Sequence, residues 1–160
     1  QEWTRFRGPN GTGLSETRGL PTRWTEADYR WKAALPAGGH SSPVLWQDVI
    51  FLTGADEDQS TRSVFAVAAG TGQVLWTKSY PFEVHKRHKF NSFASPTCAV
   101  DAQHVYATWT TPTAYSVIAL THDGRESWTR DLGAYVSQHS GGVSPIVYED
   151  LLIVSNDQDL

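Results

Sequence analysis

Ser42-Pro-Val-Leu-Trp-Gln-Asp-Val-Ile-Phe-Leu-Thr53 decides the fold, because this stretch recurs along the chain. It aligns without a gap on Ser144-Pro-Ile-Val-Tyr-Glu-Asp-Leu-Leu-Ile-Val-Ser155. A middle copy, Ser95-Pro-Thr-Cys-Ala-Val-Asp-Ala-Gln-His-Val-Tyr-Ala-Thr-Trp109, is two residues longer at its turn. Prolines 43, 96 and 145 mark the copies, which gives a period of about 51 residues. The second half of the unit repeats as well. Ser63-Val-Phe-Ala-Val67 leads to Gly72-Gln-Val-Leu-Trp76, and Ser116-Val-Ile-Ala-Leu120 leads to Gly124-Arg-Glu-Ser-Trp128.

Within a unit the apolar runs are short, rich in Val, Ile, Leu and aromatics, and separated by Asp, Gly, Gln and Asn, which is the pattern of strands joined by tight turns. Four strands are expected per unit, near 42–46, 49–54, 62–68 and 74–79 in the first copy and 95–100, 104–109, 115–121 and 126–131 in the second. Helical periodicity is absent at useful length. A four-stranded antiparallel unit of this size predicts an all-β chain of β-propeller blades. The glycine before each tryptophan supplies positive φ to the hairpin joining the third and fourth strands, and the tryptophan packs between neighbouring blades.

Composition narrows the function classes. With 13 Lys and Arg against 17 Asp and Glu the chain carries a formal charge of -4, which argues against binding a phosphate backbone and so against nucleic acid as a partner. No apolar run approaches the roughly 20 residues of a membrane-spanning helix. One Cys excludes an internal disulfide, and the absence of Met shows that the numbering does not begin at a start codon, so a mature form or a fragment is expected. The sequence holds no Gly-x-Ser-x-Gly elbow, no Gly-rich phosphate loop and no His-Glu-x-x-His.

Ala66-Val-Ala-Ala-Gly-Thr-Gly-Gln-Val-Leu-Trp76 resembles the signature of pyrroloquinoline-quinone-like β-propeller repeats, and Leu120-Thr-His-Asp-Gly-Arg-Glu-Ser-Trp128 is a shorter version of it. Ala68 stands where that signature has Asp, and the second copy is one residue shorter in the turn. The opening Trp3-Thr-Arg-Phe-Arg-Gly-Pro-Asn-Gly-Thr-Gly13 also resembles exported bacterial members. The resemblance implies a ring of about seven or eight blades, of which 160 residues hold roughly three, hence an amino-terminal piece of an incomplete ring. Its implied divisions are an irregular lead-in over 1–23, a strand within 24–36 that completes the last blade, blade 1 over 37–80, blade 2 over 81–133, and the first half of blade 3 over 134–160. Export to the periplasm or cell envelope is implied in the same way.

The polar residues just ahead of each Ser-Pro strand start are the candidate site. In the family these loops lie at the mouth of the central channel, which places His40, Asn91, Ser92, Gln138 and His139 in one polar ring for a ligand or cofactor. Turn chemistry accounts for the same residues without any ligand, since glycines permit tight turns and polar side chains cap backbone groups. His85 and His88 have the spacing of a helical metal pair, but no acidic or thiol third ligand is near and Lys86, Arg87 and Lys89 surround them, so a solvated basic loop is expected. Asp56-Glu57-Asp58 and Asp157-Gln158-Asp159 lack the alternating spacing of a Ca²⁺ loop and read as turns. Cys98, inside an apolar strand, reads as a small buried hydrophobe.

Two functions are compatible with this resemblance. One is a non-catalytic exported scaffold that binds protein partners through its propeller faces, without a cofactor. The other is a quinoprotein alcohol or sugar dehydrogenase using pyrroloquinoline quinone and Ca²⁺. Family dehydrogenases carry a vicinal Cys-Cys pair beside the quinone, and the single Cys98 leans the reading toward the scaffold.

Overall fold

The computed structural model describes residues 2–158. The strands follow one another as β1 (Val44–Trp46), β2 (Val49–Asp56), β3 (Thr61–Ala68), β4 (Val74–Pro81), β5 (Ala99–Val100), β6 (His104–Thr111), β7 (Ala114–Thr121), β8 (Glu126–Asp131), β9 (Ile146–Tyr148) and β10 (Leu151–Ile153). They form two four-stranded antiparallel meanders, β1 to β4 and β5 to β8, and the hairpin β9–β10. The chain is all-β, as the repeat requires. Among the described residues helix is limited to single 3₁₀ turns at Pro9–Gly11 and Glu26–Asp28.

Burial explains which strand takes which place. β3 and β6 are each buried through their central residues on both faces, whereas β4 alternates half-buried and exposed positions as an outer strand does. Gln47 and Glu149, at the same position of the first and third hairpins, both adopt positive φ (51° and 53°). The longer turn of the middle copy is closed instead by Asp101, whose Oδ1 accepts the N–H groups of Gln103 and His104 at 2.8 and 2.7 Å. Bulges fall at equivalent places, Ala66/Val67 and Ala119/Leu120, beside the positions that pair with Trp76 and Trp128.

Neighbouring units pack face to face. Val44, Phe51, Val64 and Ala66 of the first meet Cys98, Val100, Val105, Ile118 and Leu120 of the second. The equivalents of Phe51 and Ala66, Tyr106 and Ala119, continue the same stack with Trp128 toward Val147 and Leu152 of the third. Arg62 adds a buried clasp: its guanidinium lies 4.7 Å from the Phe82 ring centroid and 5.3 Å from that of Trp109, and donates to the Thr110 carbonyl at 3.0 Å. Burial pulls its pKa down to about 10.

The first strand of each unit is shorter than its apolar run. β1 starts at 44 rather than 42 because Ser42 N–H donates across to Thr97 Oγ1 at 2.9 Å, and β5 starts at 99 rather than 95 while Thr97 N–H donates to Ser144 Oγ at 2.9 Å. Backbone groups that would extend a ladder are spent on joining units instead.

Tyr29–Leu35 forms no ladder with any described strand, yet Trp31 is placed like a fourth-strand tryptophan. Its indole Nε1 donates to the Ala69 carbonyl at 2.9 Å, as Trp76 Nε1 donates to the His122 carbonyl at 2.8 Å in the next unit. The lead-in runs along the inner strands. Trp3 forms an antiparallel bridge with Leu45, and Thr4 accepts from Val100 N–H at 2.9 Å.

Candidate functional site

Three loops, around 38–43, 91–97 and 139–144, lead into β1, β5 and β9, the strands that lie side by side at the inner edge. Hydrogen bonds between the loops set their spacing. The N–H groups of His40 and Ser41 both donate to the Ala94 carbonyl, at 3.1 and 3.0 Å. Thr53 Oγ1 donates to the Pro96 carbonyl at 3.1 Å, and Gly141 N–H donates to Thr110 Oγ1 at 2.8 Å. Such approaches leave no room for side chains. A Cβ on Gly141 would sit 2.5 Å from Thr110 Oγ1, and one on Gly39 would sit 3.0 Å from the Ala94 Cβ and carbonyl oxygen.

Asn91 is the centre of this constellation. Its amide Nδ2 donates to the His139 carbonyl at 2.6 Å and reaches the Gly141 carbonyl at 3.4 Å. Its Oδ1 accepts Ser92 N–H at 2.8 Å and the Ser95 hydroxyl. Arg87, which also pairs with Glu57, donates Nη1 to the Asn91 carbonyl at 2.8 Å. Ser92 Oγ accepts Ala94 N–H at 3.0 Å. Both donors and acceptors of Asn91 are therefore used within the loops.

Asn91, Ser92 and His139 are thus brought together. His40 joins them through its backbone, with its side chain exposed, and Gln138 is exposed in the same loop as His139. His88 of the basic connection belongs here too, its ring 5.0 Å from that of His139 and nearly perpendicular to it at 72°. His85 turns elsewhere and packs on Phe93 at 4.9 Å, so the two histidines of the basic loop do not share a ligand position. The loop is not helical there, which removes the i, i+3 geometry their spacing suggested.

The signal missed in the sequence was the hydroxyls. Thr53, Thr97, Thr110 and Ser144 each bridge two units, yet nothing in their local sequence sets them apart. Of the acidic runs, Asp56 caps its turn by accepting Gln59 N–H at 2.9 Å and Asp157 accepts the Ser155 hydroxyl; Asp159 lies outside the described residues. Among the described residues no group of three or more His, Cys, Asp or Glu side chains is placed to share a metal ion. Cys98 is buried, and burial pushes its thiol pKa up to about 12.

No family model matches the chain, and no curated protein matches it. Among solved structures the chain is similar to BamB from Moraxella catarrhalis, with a TM-score of 0.53 and 18% sequence identity over 77% of this chain and 36% of that one. The chain thus spans about a third of that structure's length. This likeness and the repeated four-stranded units place the fold as consecutive β-propeller blades.

Proposed function

We propose that this chain is part of an exported β-propeller of the pyrroloquinoline-quinone-like repeat type, acting as a non-catalytic scaffold that binds a protein partner through its loop-bearing face. The observation that carries this reading is how Asn91 is used: its side chain joins its own loop to the carbonyls of His139 and Gly141. The polar ring is then a rigid rim rather than a set of groups awaiting a ligand, and rigid loops on a propeller face make a preorganised protein-binding surface. The likeness to BamB supports the propeller fold on which this reading rests. In this reading 24–36 is the outer strand of an adjoining blade, as the position of Trp31 on Ala69 favours.

The quinoprotein alternative asks for carboxylate oxygens on Ca²⁺, and the five rim residues offer imidazoles, a hydroxyl and the amides of Asn91 and Gln138 but no carboxylate, while the Asn91 amide oxygen already accepts two hydrogen bonds. These residues do not fit that cation. The test is titration of pyrroloquinoline quinone with Ca²⁺ into the protein, paired with site-specific photo-crosslinking from His40 and Gln138 in periplasm-exporting cells. A discrete protein adduct from the rim, absent when the crosslinker stands at Leu75 on β4, supports the scaffold. Submicromolar quinone binding with dye-linked alcohol oxidation, lost in His40→Ala and His139→Ala, would overturn it.

A further inference from the structure

We propose that the turn at 88–91 is where the loop-bearing face takes its partner, and that it takes an acidic segment of a protein, with Phe90 as the apolar anchor and Lys86 and Lys89 as the cations that meet its carboxylates. The inference rests on the scaffold reading and adds to it the chemistry of the partner.

The turn lies in the connection from β4 to β5, between two units that each have all four strands. Asn91 N–H donates to the His88 carbonyl at 2.9 Å, which puts Lys89 and Phe90 at the two corners of the turn, and Phe90 N–H donates to His88 Nδ1 at 3.3 Å. Both ends of the turn are braced. The His88 ring packs on that of His139 at 5.0 Å, and the Asn91 side chain holds the His139 loop while its carbonyl accepts from Arg87 Nη1. Only the corners are left to solvent. Lys89 is exposed and Phe90 is 75% exposed, a value matched among large hydrophobic side chains only by Leu14 of the lead-in. The Lys89 ammonium lies 4.9 Å from the Phe90 ring centroid, and the His88 ring lies 5.5 Å from it on the same turn. An aromatic ring held out by a braced turn is already ordered for contact, which lowers the entropy a partner must overcome.

Charge then selects the partner. Between residues 33 and 124 the sequence has five Lys and Arg, three of them in the run Lys86-Arg87-His88-Lys89, and of the other two Arg62 is buried. The remaining ten Lys and Arg of the whole chain stand against 17 Asp and Glu, so the formal charge outside this run is -7. Positive charge gathered at one place on an otherwise acidic chain draws a carboxylate-rich surface and holds it in register. Arg87 is spent on Glu57, whereas among the described residues Lys86 and Lys89 have no ion-pair partner. Glu83, the nearest acid in sequence, borders a different cleft with His85 and residues 111–113. Two ammonium groups on flexible stems set no fixed geometry, which suits the Asp and Glu side chains of an extended segment, and Phe90 between them and His88 suits one apolar side chain of that segment.

The probe is a blocked seven-residue peptide of Asp and Glu with Leu at its centre, followed by backbone amide shifts in NMR; its Asn and Gln counterpart and phosphatidylglycerol vesicles are the comparisons. Saturable shifts at Lys89, Phe90 and Asn91 are expected, with affinity falling about threefold or more from about 50 to about 300 mM NaCl. Lys86→Gln/Lys89→Gln should weaken binding about fivefold or more and Phe90→Ser about threefold or more, while Arg125→Gln, in the hairpin at the opposite end of the strands, leaves it unchanged. The inference fails if no saturable shift develops by about 5 mM peptide, or if the uncharged counterpart binds as well. It fails if the folded Lys86→Gln/Lys89→Gln variant binds as the unaltered protein does, or if the shifts gather at His40 and Gln138 and spare 88–91. Binding to the vesicles but not to the peptide would make the turn a membrane contact instead. Crosslinking from His40 and Gln138 separates this inference from the reading beneath it. Adducts that persist in Lys86→Gln/Lys89→Gln/Phe90→Ser leave the scaffold standing and remove the turn from it. Peptide binding at 88–91 with no adduct from the unaltered protein removes the scaffold and leaves the turn as an acidic-peptide site.

Discussion

Trp76 covers Gly124 so closely that a Cβ on the glycine would lie 2.8 Å from the indole Cδ2, and Gly124 sits at φ 84°. Glycine here serves twice, turning its own hairpin and leaving a floor for the tryptophan of the preceding unit. Trp31 and Gly72 repeat the pair, with Gly72 at φ 75° and its would-be Cβ 2.4 Å from the ring.

The pair predicts non-additive losses. Trp76→Ala removes a large side chain packed against the inter-unit core and should cost about 3 kcal/mol. Gly124→Ala adds backbone strain of about 1–3 kcal/mol and pushes the indole off its floor. In the double variant the displacement has nothing left to displace. Urea unfolding of the four proteins should therefore show a coupling of at least about 1 kcal/mol. Strict additivity would mean that the glycine matters only to its own turn.

Much of this is legible in the sequence. The spacing of Gly72 to Trp76 and Gly124 to Trp128 located both hairpins and both interface tryptophans, because a repeated glycine and a repeated aromatic have few other uses. The ends of the inner strands were not legible. Ser42 and Thr97 carry strand-like neighbours, yet their N–H groups bond to hydroxyls of the adjacent unit, which no local pattern announces. The candidate rim was legible as polar residues before Ser-Pro. That Asn91 joins the His139 loop depends on a contact 48 residues away, and the path of Trp3 and Thr4 along Leu45 and Val100 depends on contacts just as remote in the chain.

Asn91→Ala should loosen the rim without unfolding the chain. It strips a donor from the His139 and Gly141 carbonyls and an acceptor from Ser92 N–H, for a cost of about 1–3 kcal/mol. Hydrogen exchange would report it locally, as faster exchange at Ser92 and through 137–142 with the β6 and β7 amides still protected. Unchanged protection in that loop would remove Asn91 from the centre of the rim.

Two tyrosine and carboxylate pairs contribute to the pH dependence of stability. Tyr80 donates to Glu126 Oε2 at 2.8 Å between units, and Tyr106 donates to Asp101 Oδ2 at 2.7 Å within one. Burial pulls the Asp101 carboxyl upward, but the N–H groups of Gln103 and His104, the Tyr106 hydroxyl and the His104 charge outweigh it and hold Asp101 below its ordinary value. The Tyr80 hydroxyl, with help from Thr129, holds Glu126 low as well. Carboxyls lowered on folding add stability above about pH 4, lost as pH falls through their folded values. The tyrosines are raised, chiefly by burial and then by their carboxylate partners, so their contribution is whole below about pH 10 and declines above it. Melting temperature should be flat between these limits and fall on both sides. Asp101→Asn should flatten the acid limb and lower the plateau. An acid limb identical to that of the unaltered protein would exclude Asp101 as a contributor.

Cys98 supplies a reporter of how the units open. It has no exposure, it packs in the cluster shared by the first and second units, and burial, against a smaller opposing backbone hydrogen bond, raises its thiol pKa to about 12, so the reactive thiolate is scarce and inaccessible in the native state. Labelling by an aromatic disulfide reagent should wait for opening of the seam between β2–β3 and β6–β7. Trp76→Ala weakens that seam and should accelerate labelling by up to about the factor its stability loss implies, tenfold for each 1.4 kcal/mol. Asn91→Ala acts at the rim and should change the rate far less. Equal acceleration by both variants would show that rim and seam open as one cooperative unit. Rapid labelling of the unaltered protein would contradict the burial of Cys98 itself.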